Sequence, residues 1–400
     1  MFYIIARKDR FSLENWSAFS FLEKSATMGT MDASHATLEG TARYRSRFEG
    51  KLDLGHFRQS LDLWISSIGC GTYLGDPDEA TDCLYLEALV QAVESGSNVI
   101  DTAINYRLQQ SERVIGKALK LLFEKGYGRE ELILSTKGGF IPCDAHLPLD
   151  SETYFQEMLV KPGIVTSGDL VAGCHCMTPS YLDHELETSL KNLGLACIDI
   201  YFLHNPETQL EEVPPQEFHR RIEAAFRLLE KKVAEGKIRY YGTATWEGYR
   251  NHPNAGNHLD LQELAVIARS VGGEKHHFRV IQLPHNLAMP EAIAHQNQKL
   301  GPQMVSTLEA AERLGIAVYA SASLLQGRVA QNLPQTLRER FKHVASDAQR
   351  SLQFVRSTPG LTTALVGMKT KAHVTENMGL AATAPLTREE FFGLFAEEKS

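Results

Sequence analysis

Residues 98–137 read NVIDTAINYRLQQSERVIGKALKLLFEKGYGREELILSTK. The run Asn98–Thr102 is short, apolar and β-branched, as a strand buried on both faces is. Val114, Ile115, Ala118, Leu119 and Leu122 then recur at helical spacing and stop before Gly126, and Leu132–Thr136 opens a second strand-like run. Strand, amphipathic helix and strand form one βα repeat of a parallel sheet.

Outward from this stretch the rhythm continues. Candidate strands are Ile65–Ile68 upstream and Cys197–Leu203, Ile238–Thr243, Arg279–Leu283, Ile316–Ala320 and Thr363–Val366 downstream, eight in all. Between them run helical stripes. One comprises Tyr85, Ala88, Leu89, Ala92 and Val93 up to Gly96, and another Leu182, Leu186, Leu190 and Leu193 behind Thr178-Pro179. Further stripes run from Phe218 to Val233 and from Val305 to Leu314, and Thr387 with Glu390 forms a capping box near the end. Eight such strands in one continuous stretch favour a closed (β/α)8 TIM barrel over an open doubly wound sheet. The open sheet would carry G-x-G-x-x-G after its first strand, whereas Gly69, Gly71 and Gly75 are spaced one residue too widely. The barrel with C-terminal helices is assigned to residues 57–400, and residues 1–56, which lack sustained periodicity, to a poorly ordered N-terminal extension. The long loop Gly138–Met177 leaves the C-terminal end of the third strand, where a barrel has its mouth; it is a lid, a substrate wall or a surface insertion.

Of the 400 residues 43% are hydrophobic and 22% charged, enough for a substantial core and within reach of a single large barrel domain. The net charge is −8 and no run of five or six like charges occurs, which argues against a nucleic-acid partner. No stretch approaches a membrane span, and the apolar start is interrupted by Arg7, Lys8, Asp9 and Arg10, so a cytoplasmic protein is expected. Six scattered cysteines suggest reduced thiols rather than a disulfide scaffold. Cys143 with Cys174-His175-Cys176 offers four zinc-type ligands without the usual thiolate spacing, and no metal is expected. Composition carries no signature of oligomeric state.

Barrel enzymes place their reactive groups at the C-terminal ends of several strands. Asp101, Lys137 and His204 stand at three consecutive strand ends, and Tyr106 follows Asp101 by five residues. Each alone has a bland reading as a cap, a solvated amine or a core ring; four converging on one rim is a catalytic constellation.

The segments Asn98-Val-Ile-Asp-Thr-Ala-Ile-Asn-Tyr106, Leu134-Ser-Thr-Lys137 and Ile198-Asp-Ile-Tyr-Phe-Leu-His204 resemble, in order, the catalytic motifs of the aldo-keto reductase superfamily, over roughly residues 57–383. Ile68–Thr72, Gly236–Gly242 and Glu376-Asn377 extend the likeness. The resemblance implies an NAD(P)H-dependent oxidoreductase that reduces an aldehyde or ketone, or oxidises the corresponding alcohol. Tyr106 would be the proton donor, Lys137 would lower its pKa, Asp101 would hold Lys137, and His204 would orient the carbonyl. It further implies cofactor contacts from Gly71, Thr72, Asp101 and Gln282, from the pyrophosphate loop Leu324 to Gly327, and from the adenine-side pair Glu376 and Asn377. The family's Ser-Asn pair reads Ala244-Thr245 here, and the aromatic that stacks on nicotinamide is assigned to His285. Lys369, Lys371 and His373 favour NADP, with NAD as the alternative.

Two other functions are weighed. One is a nicotinamide-binding regulatory or redox-sensing subunit with little turnover. The other is a Schiff-base aldolase or isomerase using Lys137, which Asp101 disfavours by holding the amine as an ammonium.

Overall fold

The computed structural model describes residues 34–395. Expectations for residues 1–33 lie outside the described residues.

Eight parallel strands close into one barrel: β1 (Ile68–Gly71), β2 (Val99–Asp101), β3 (Ile133–Gly138), β4 (Ile198–His204), β5 (Ile238–Ala244), β6 (Phe278–Pro284), β7 (Ala317–Ser321) and β8 (Thr363–Gly367). Each pairs with its sequence neighbour, and β8 returns to β1 with Ala364 opposite Ile68 and Gly367 opposite Gly71. The outer layer is α1 (Glu79–Glu94), α2 (Gln110–Glu124), α3 (Pro179–Leu193), α4 (Pro215–Ala234), α5 (Leu261–Gly272), α6 (Thr307–Leu314), α7 (Asp347–Ser357) and α8 (Lys371–Gly379). The apolar stripes face the strands as their spacing requires: in α2 Val114, Ile115, Ala118, Leu119 and Leu122 are all buried. Each large side chain so buried contributes about 1.5–3 kcal/mol.

The apolar residues form two layers. Helix stripes and the outward strand residues make one cluster. A second fills the barrel interior with Val99, Ile133, Ile200, Phe202, Val280, Tyr319 and Leu365. Leu63 and Ile65 join this inner cluster from below, because Leu63–Ser66 pairs antiparallel with Phe57–Ser60 in a hairpin across the barrel floor. This corrects the first strand: the barrel strand is Ile68–Gly71, not Ile65–Ile68. The floor hairpin holds the stronger apolar run, whereas the barrel strand Ile-Gly-Cys-Gly is small because it is crowded. A Cβ on Gly69 would come within 2.8 Å of Leu365 and 3.0 Å of Val99.

Residues 34–56 contain a helix, Leu38–Ser46, with Tyr44 completely buried and its hydroxyl donating to Val93 O at 2.6 Å. The segment enters beneath the barrel at Ala36, whose N–H donates to Asp199 at 2.7 Å. Asp199 also accepts from Arg129 at 2.7 Å and from Leu134 N–H at 2.8 Å, so this buried carboxylate ties the N-terminal segment to the barrel floor.

At the other end the loop 138–177 has a core of its own, in which Tyr154, Phe155, Leu159, Val165 and Cys176 pack with Tyr181 of α3. Its two arms bridge at Phe140 and His175.

Candidate active site

β2 and β3 bring Asp101 and Lys137 together inside the barrel mouth, with Lys137 Nζ 2.6 Å from Asp101 Oδ2 and 2.7 Å from Thr102 O. The second carboxylate oxygen accepts from Ser135 Oγ at 2.7 Å and from Gln282 Nε2 at 2.9 Å. The pair is almost fully enclosed, with 1% of the Lys137 side chain and 6% of the Asp101 side chain exposed, which is tolerable only because each polar atom is matched. Burial disfavours the ammonium, but Asp101 and Tyr106 outweigh it and raise the Lys137 pKa, so the amine stays charged.

Tyr106 stands over this pair. The ammonium lies 5.0 Å from the centre of its ring and interacts with its hydroxyl. Burial is the largest influence on the phenol and Lys137 only partly offsets it, so the net shift is upward. The expectation of a lowered pKa is corrected: desolvation outweighs the ammonium, and Tyr106 is held protonated. His204, at the end of β4, meets the Tyr106 ring edge-on at 5.7 Å. Burial, with Lys137 and His175 nearby, pushes its pKa well below the ordinary value, so the ring is neutral. Its Nδ1 is enclosed without a hydrogen-bond partner. All four residues singled out on the rim thus converge, as do Ser135 and Gln282. Ser135 precedes Lys137 by two positions on the same strand face, a signal the sequence reading passed over.

The turn that follows Tyr106 is held in an unusual way. Arg107, Leu108 and Gln109 are all left-handed, at φ 50°, 52° and 70°. Such residues persist where surroundings over-determine them. Here Arg107 donates to Asp76 O at 2.8 Å and pairs with Asp82 at 2.6 Å, Leu108 O accepts from Ala145 N–H at 3.1 Å, and the amide of Gln109 reaches Cys143 O. Arg113 grips Asp144 with two bonds of 2.7 and 2.6 Å. The long loop is therefore moored directly to the turn that carries Tyr106.

The remaining singled-out residues stand at the end of β1 and on the segments that follow β1, β5, β6, β7 and β8. Gly71 ends β1 with no atom nearer than 3.8 Å to the position of a Cβ, an open approach for a ligand. Thr72 is buried and spends its hydroxyl on Thr102 at 2.8 Å. Thr245 Oγ1 and Asn377 Oδ1 are enclosed without partners. The loop through Leu324 and Gly327 is wound by left-handed Ala322, Leu325, Gln326 and Gly327. Beyond β8, Lys369 is half-buried, while Lys371, His373 and Glu376 are exposed on α8; Lys371 is engaged with Glu87 at 3.1 Å. His285 is a correction. Its ring is completely buried, stacks on Phe354 at 5.5 Å and bonds Thr358 Oγ1 at 3.0 Å, so it is packed into the wall rather than offered to a nicotinamide.

Among the described residues no three His, Cys, Asp or Glu side chains come together as a metal site, and no helix is long and apolar enough to cross a membrane. His175 has both ring nitrogens engaged elsewhere, with His204 O and Gln209.

The profile of the aldo/keto reductase family matches residues 67–394, and the chain belongs to that family. It is similar to an NADH-specific methylglyoxal reductase of Escherichia coli (strain K12), with 28% identity over 225 residues, 54% of this chain and 57% of the relative. It is also similar to a putative voltage-gated potassium channel subunit beta of Schizosaccharomyces pombe, with 30% identity over 188 residues, 47% of this chain and 44% of the relative. The chain thus spans about half the length of these curated relatives. Among solved structures, an aldo/keto reductase from Klebsiella pneumoniae in complex with NADP and acetate superposes with TM-score 0.57 and 22% identity, over 85% of this chain and 94% of that one. A glycerol dehydrogenase from Gluconobacter oxydans gives TM-score 0.57 and 19% identity over 86% and 95%. At these identities the solved structures speak to the fold.

Proposed function

We propose that this chain is an NAD(P)H-dependent reductase of aldehydes or ketones, with Tyr106 as proton donor. The observation that carries the reading is the enclosed Asp101–Lys137 pair beneath the Tyr106 ring, opened to the mouth beside a neutral His204. A bound nicotinamide supplies the hydride. The chain's own residues do the rest. As negative charge builds on the substrate oxygen, the hydroxyl of Tyr106 gives up its proton to that oxygen, and the Lys137 ammonium stabilises the phenolate left behind. Asp101 fixes the ammonium and keeps it charged. His204, neutral and with Nδ1 turned inward, has Nε2 to hold the oxygen in line with the phenol. A phenol is protonated near neutral pH at its ordinary pKa, as reduction requires; burial makes Tyr106 a weaker acid, and the Lys137 ammonium partly offsets this.

The cofactor fits the residues present. Open backbone at Gly71, the unpaired Thr245 Oγ1 and Asn377 Oδ1, the remainder of the Gln282 amide and the left-handed loop Leu324 to Gly327 are the groups that would receive it. Lys369 and His373, with Lys371 drawn toward Glu87, favour NADP, as found in the Klebsiella pneumoniae complex; the Escherichia coli relative argues for NAD. Six free thiols support a cytoplasmic setting. The test is fluorescence titration with NADPH and NADH, followed by cofactor oxidation over a panel of carbonyls. Tyr106→Phe is expected to bind cofactor normally and to abolish turnover. Retained turnover in that variant rejects the assignment.

The similarity to a channel subunit keeps a regulatory role as the second reading. Stable co-purification with a partner protein, together with no turnover across the panel, would favour it.

A further inference from the structure

The run Cys174-His175-Cys176 stands out in the sequence, and the reaction above does not use it. His175 closes the second arm of the long loop and is completely buried. Its Nε2 lies 2.8 Å from His204 O and its Nδ1 lies 2.8 Å from Gln209 Nε2. The Gln209 amide is oriented by Arg221, whose guanidinium donates to Oε1 and which also bonds Glu217 at 2.8 Å. With Oε1 so engaged, Nε2 of Gln209 is the donor to Nδ1, and the imidazole carries its proton on Nε2, facing the His204 carbonyl. Burial pushes its pKa down to about 4, consistent with a neutral ring. A line of polar contacts therefore runs from the surface of α4 to the last carbonyl of β4.

The approach is close enough to require glycine opposite it. Gly139 has φ +143°, and a Cβ there would lie 2.8 Å from His175 Nε2 and 3.0 Å from His204 O. The catalytic ring has no such anchor. His204 makes no side-chain hydrogen bond at Nδ1 and is wedged edge-on between Tyr106 at 5.7 Å and Phe140 at 5.0 Å. Phe140 in turn meets the His175 ring edge-on at 5.1 Å, and the chain just past His204 turns left-handed at Asn205, φ 45°. The direction in which His204 points is set by its own backbone, which the ladder to Ala244 also holds, and by Phe140, and His175 touches both.

We infer that His175 is a positioning residue for His204, a loop imidazole that clamps the end of β4 and the Phe140 wall so that the His204 ring faces the substrate oxygen. The inference rests on the proposed reduction for its kinetic consequence, while its structural content is independent of turnover.

The test compares His175→Leu, which removes the donor, with His175→Gln, whose amide nitrogen can reach the same carbonyl. Catalytic misplacement of about 1 Å costs up to roughly 100-fold. His175→Leu is expected to lower kcat/KM for the carbonyl about 10- to 100-fold, to leave the NADPH dissociation constant within a factor of about two, and to be largely rescued in His175→Gln. In a His204→Ala background the same Leu substitution should have no further effect on kcat/KM. Equal losses with Leu and Gln, or an undiminished loss in the His204→Ala background, would overturn the inference. Should His175→Leu fail to fold, Gln209→Leu cuts the clamp from its far side and is expected to give a smaller loss in the same direction; no loss there counts against it. Nitrogen-15 spectra of the imidazoles separate this from failure of the reductase reading. The His204 signals should shift in His175→Leu or Gln209→Leu and return in His175→Gln, whether or not any carbonyl is reduced. A wild-type protein with these signatures but no turnover fails the reductase reading alone, and unmoved His204 signals fail the positioning role.

Discussion

The two ends of this barrel differ in how much backbone strain they hold. At the floor, a hairpin and the Ala36 segment seal the interior with Leu63 and Ile65, and a deep carboxylate, Asp199, is matched by Arg129 and two backbone N–H groups. Buried polar atoms without partners occur at both ends, Thr245 Oγ1 and His204 Nδ1 at the mouth and Arg129 Nε and Thr363 Oγ1 at the floor. Backbone strain does divide them. Of the eleven described non-glycine residues with positive φ, two, Leu61 and Asp62, form the floor hairpin turn, and the other nine lie in loops leaving strand C-terminal ends. The difference is one of strain: the floor is sealed by packing and a matched carboxylate, whereas the mouth holds left-handed segments, as functional sites commonly do.

The largest expected effect is at the mouth. Lys137→Met removes the ammonium that, in the proposed reduction, would stabilise the Tyr106 phenolate, and leaves Asp101 as an uncompensated buried charge. Turnover should fall roughly 10²–10⁴-fold, and unfolding free energy in urea by about 3–5 kcal/mol. Adding Asp101→Asn should restore most of the stability and none of the activity. If the double variant regained turnover, the pair would be a structural ion pair and the division between the two ends would fail.

Asp199→Asn is the counterpart at the floor. It strands the Arg129 guanidinium and presents an amide N–H to groups that are themselves donors. A stability loss of about 3–5 kcal/mol is expected, with kcat and KM per folded molecule unchanged at a temperature where the variant remains native. A change in kcat there would show that the floor is coupled to the chemistry.

These contrasts also account for what was legible in the sequence. Asp101 and Lys137 could be read from sequence because a charged residue at the end of an apolar β-branched run has few bland explanations. Seven of the eight strands were readable for the same reason of composition. β1 was misplaced because Ile68–Gly71 is crowded into small residues while the stronger run, Leu63–Ser66, belongs to the floor. His285 and His175 escaped for a different reason. What they do is decided by non-local partners, the Phe354 ring in one case and the His204 carbonyl in the other, and no spacing rule encodes either. The sign of the Tyr106 shift was equally out of reach, since the ammonium is visible in the motif and the depth of burial is not.

The smallest effect probes the strain itself. A left-handed L-residue is strained by roughly 1–2 kcal/mol relative to its preferred conformation, and glycine removes that strain at some cost in unfolded-state entropy. Asp62 is exposed at the floor turn, at φ 54°, and Leu108, at φ 52°, is 37% exposed in the turn after Tyr106. Asp62→Gly and Leu108→Gly should each stabilise the fold by about 0.5–1 kcal/mol, read as a higher urea midpoint. Their kinetics should part company. Asp62→Gly leaves kcat unchanged, because nothing at the floor touches the reacting atoms. Leu108→Gly keeps the carbonyl that binds Ala145 but frees the backbone between Tyr106 and its moorings at Arg107 and Gln109. The hydroxyl then samples positions away from the substrate oxygen, and kcat falls several-fold while the cofactor dissociation constant stays fixed. Identical kinetics in the two glycine variants would mean that strain at the mouth is incidental to positioning Tyr106, and the contrast between the ends would lose its functional meaning.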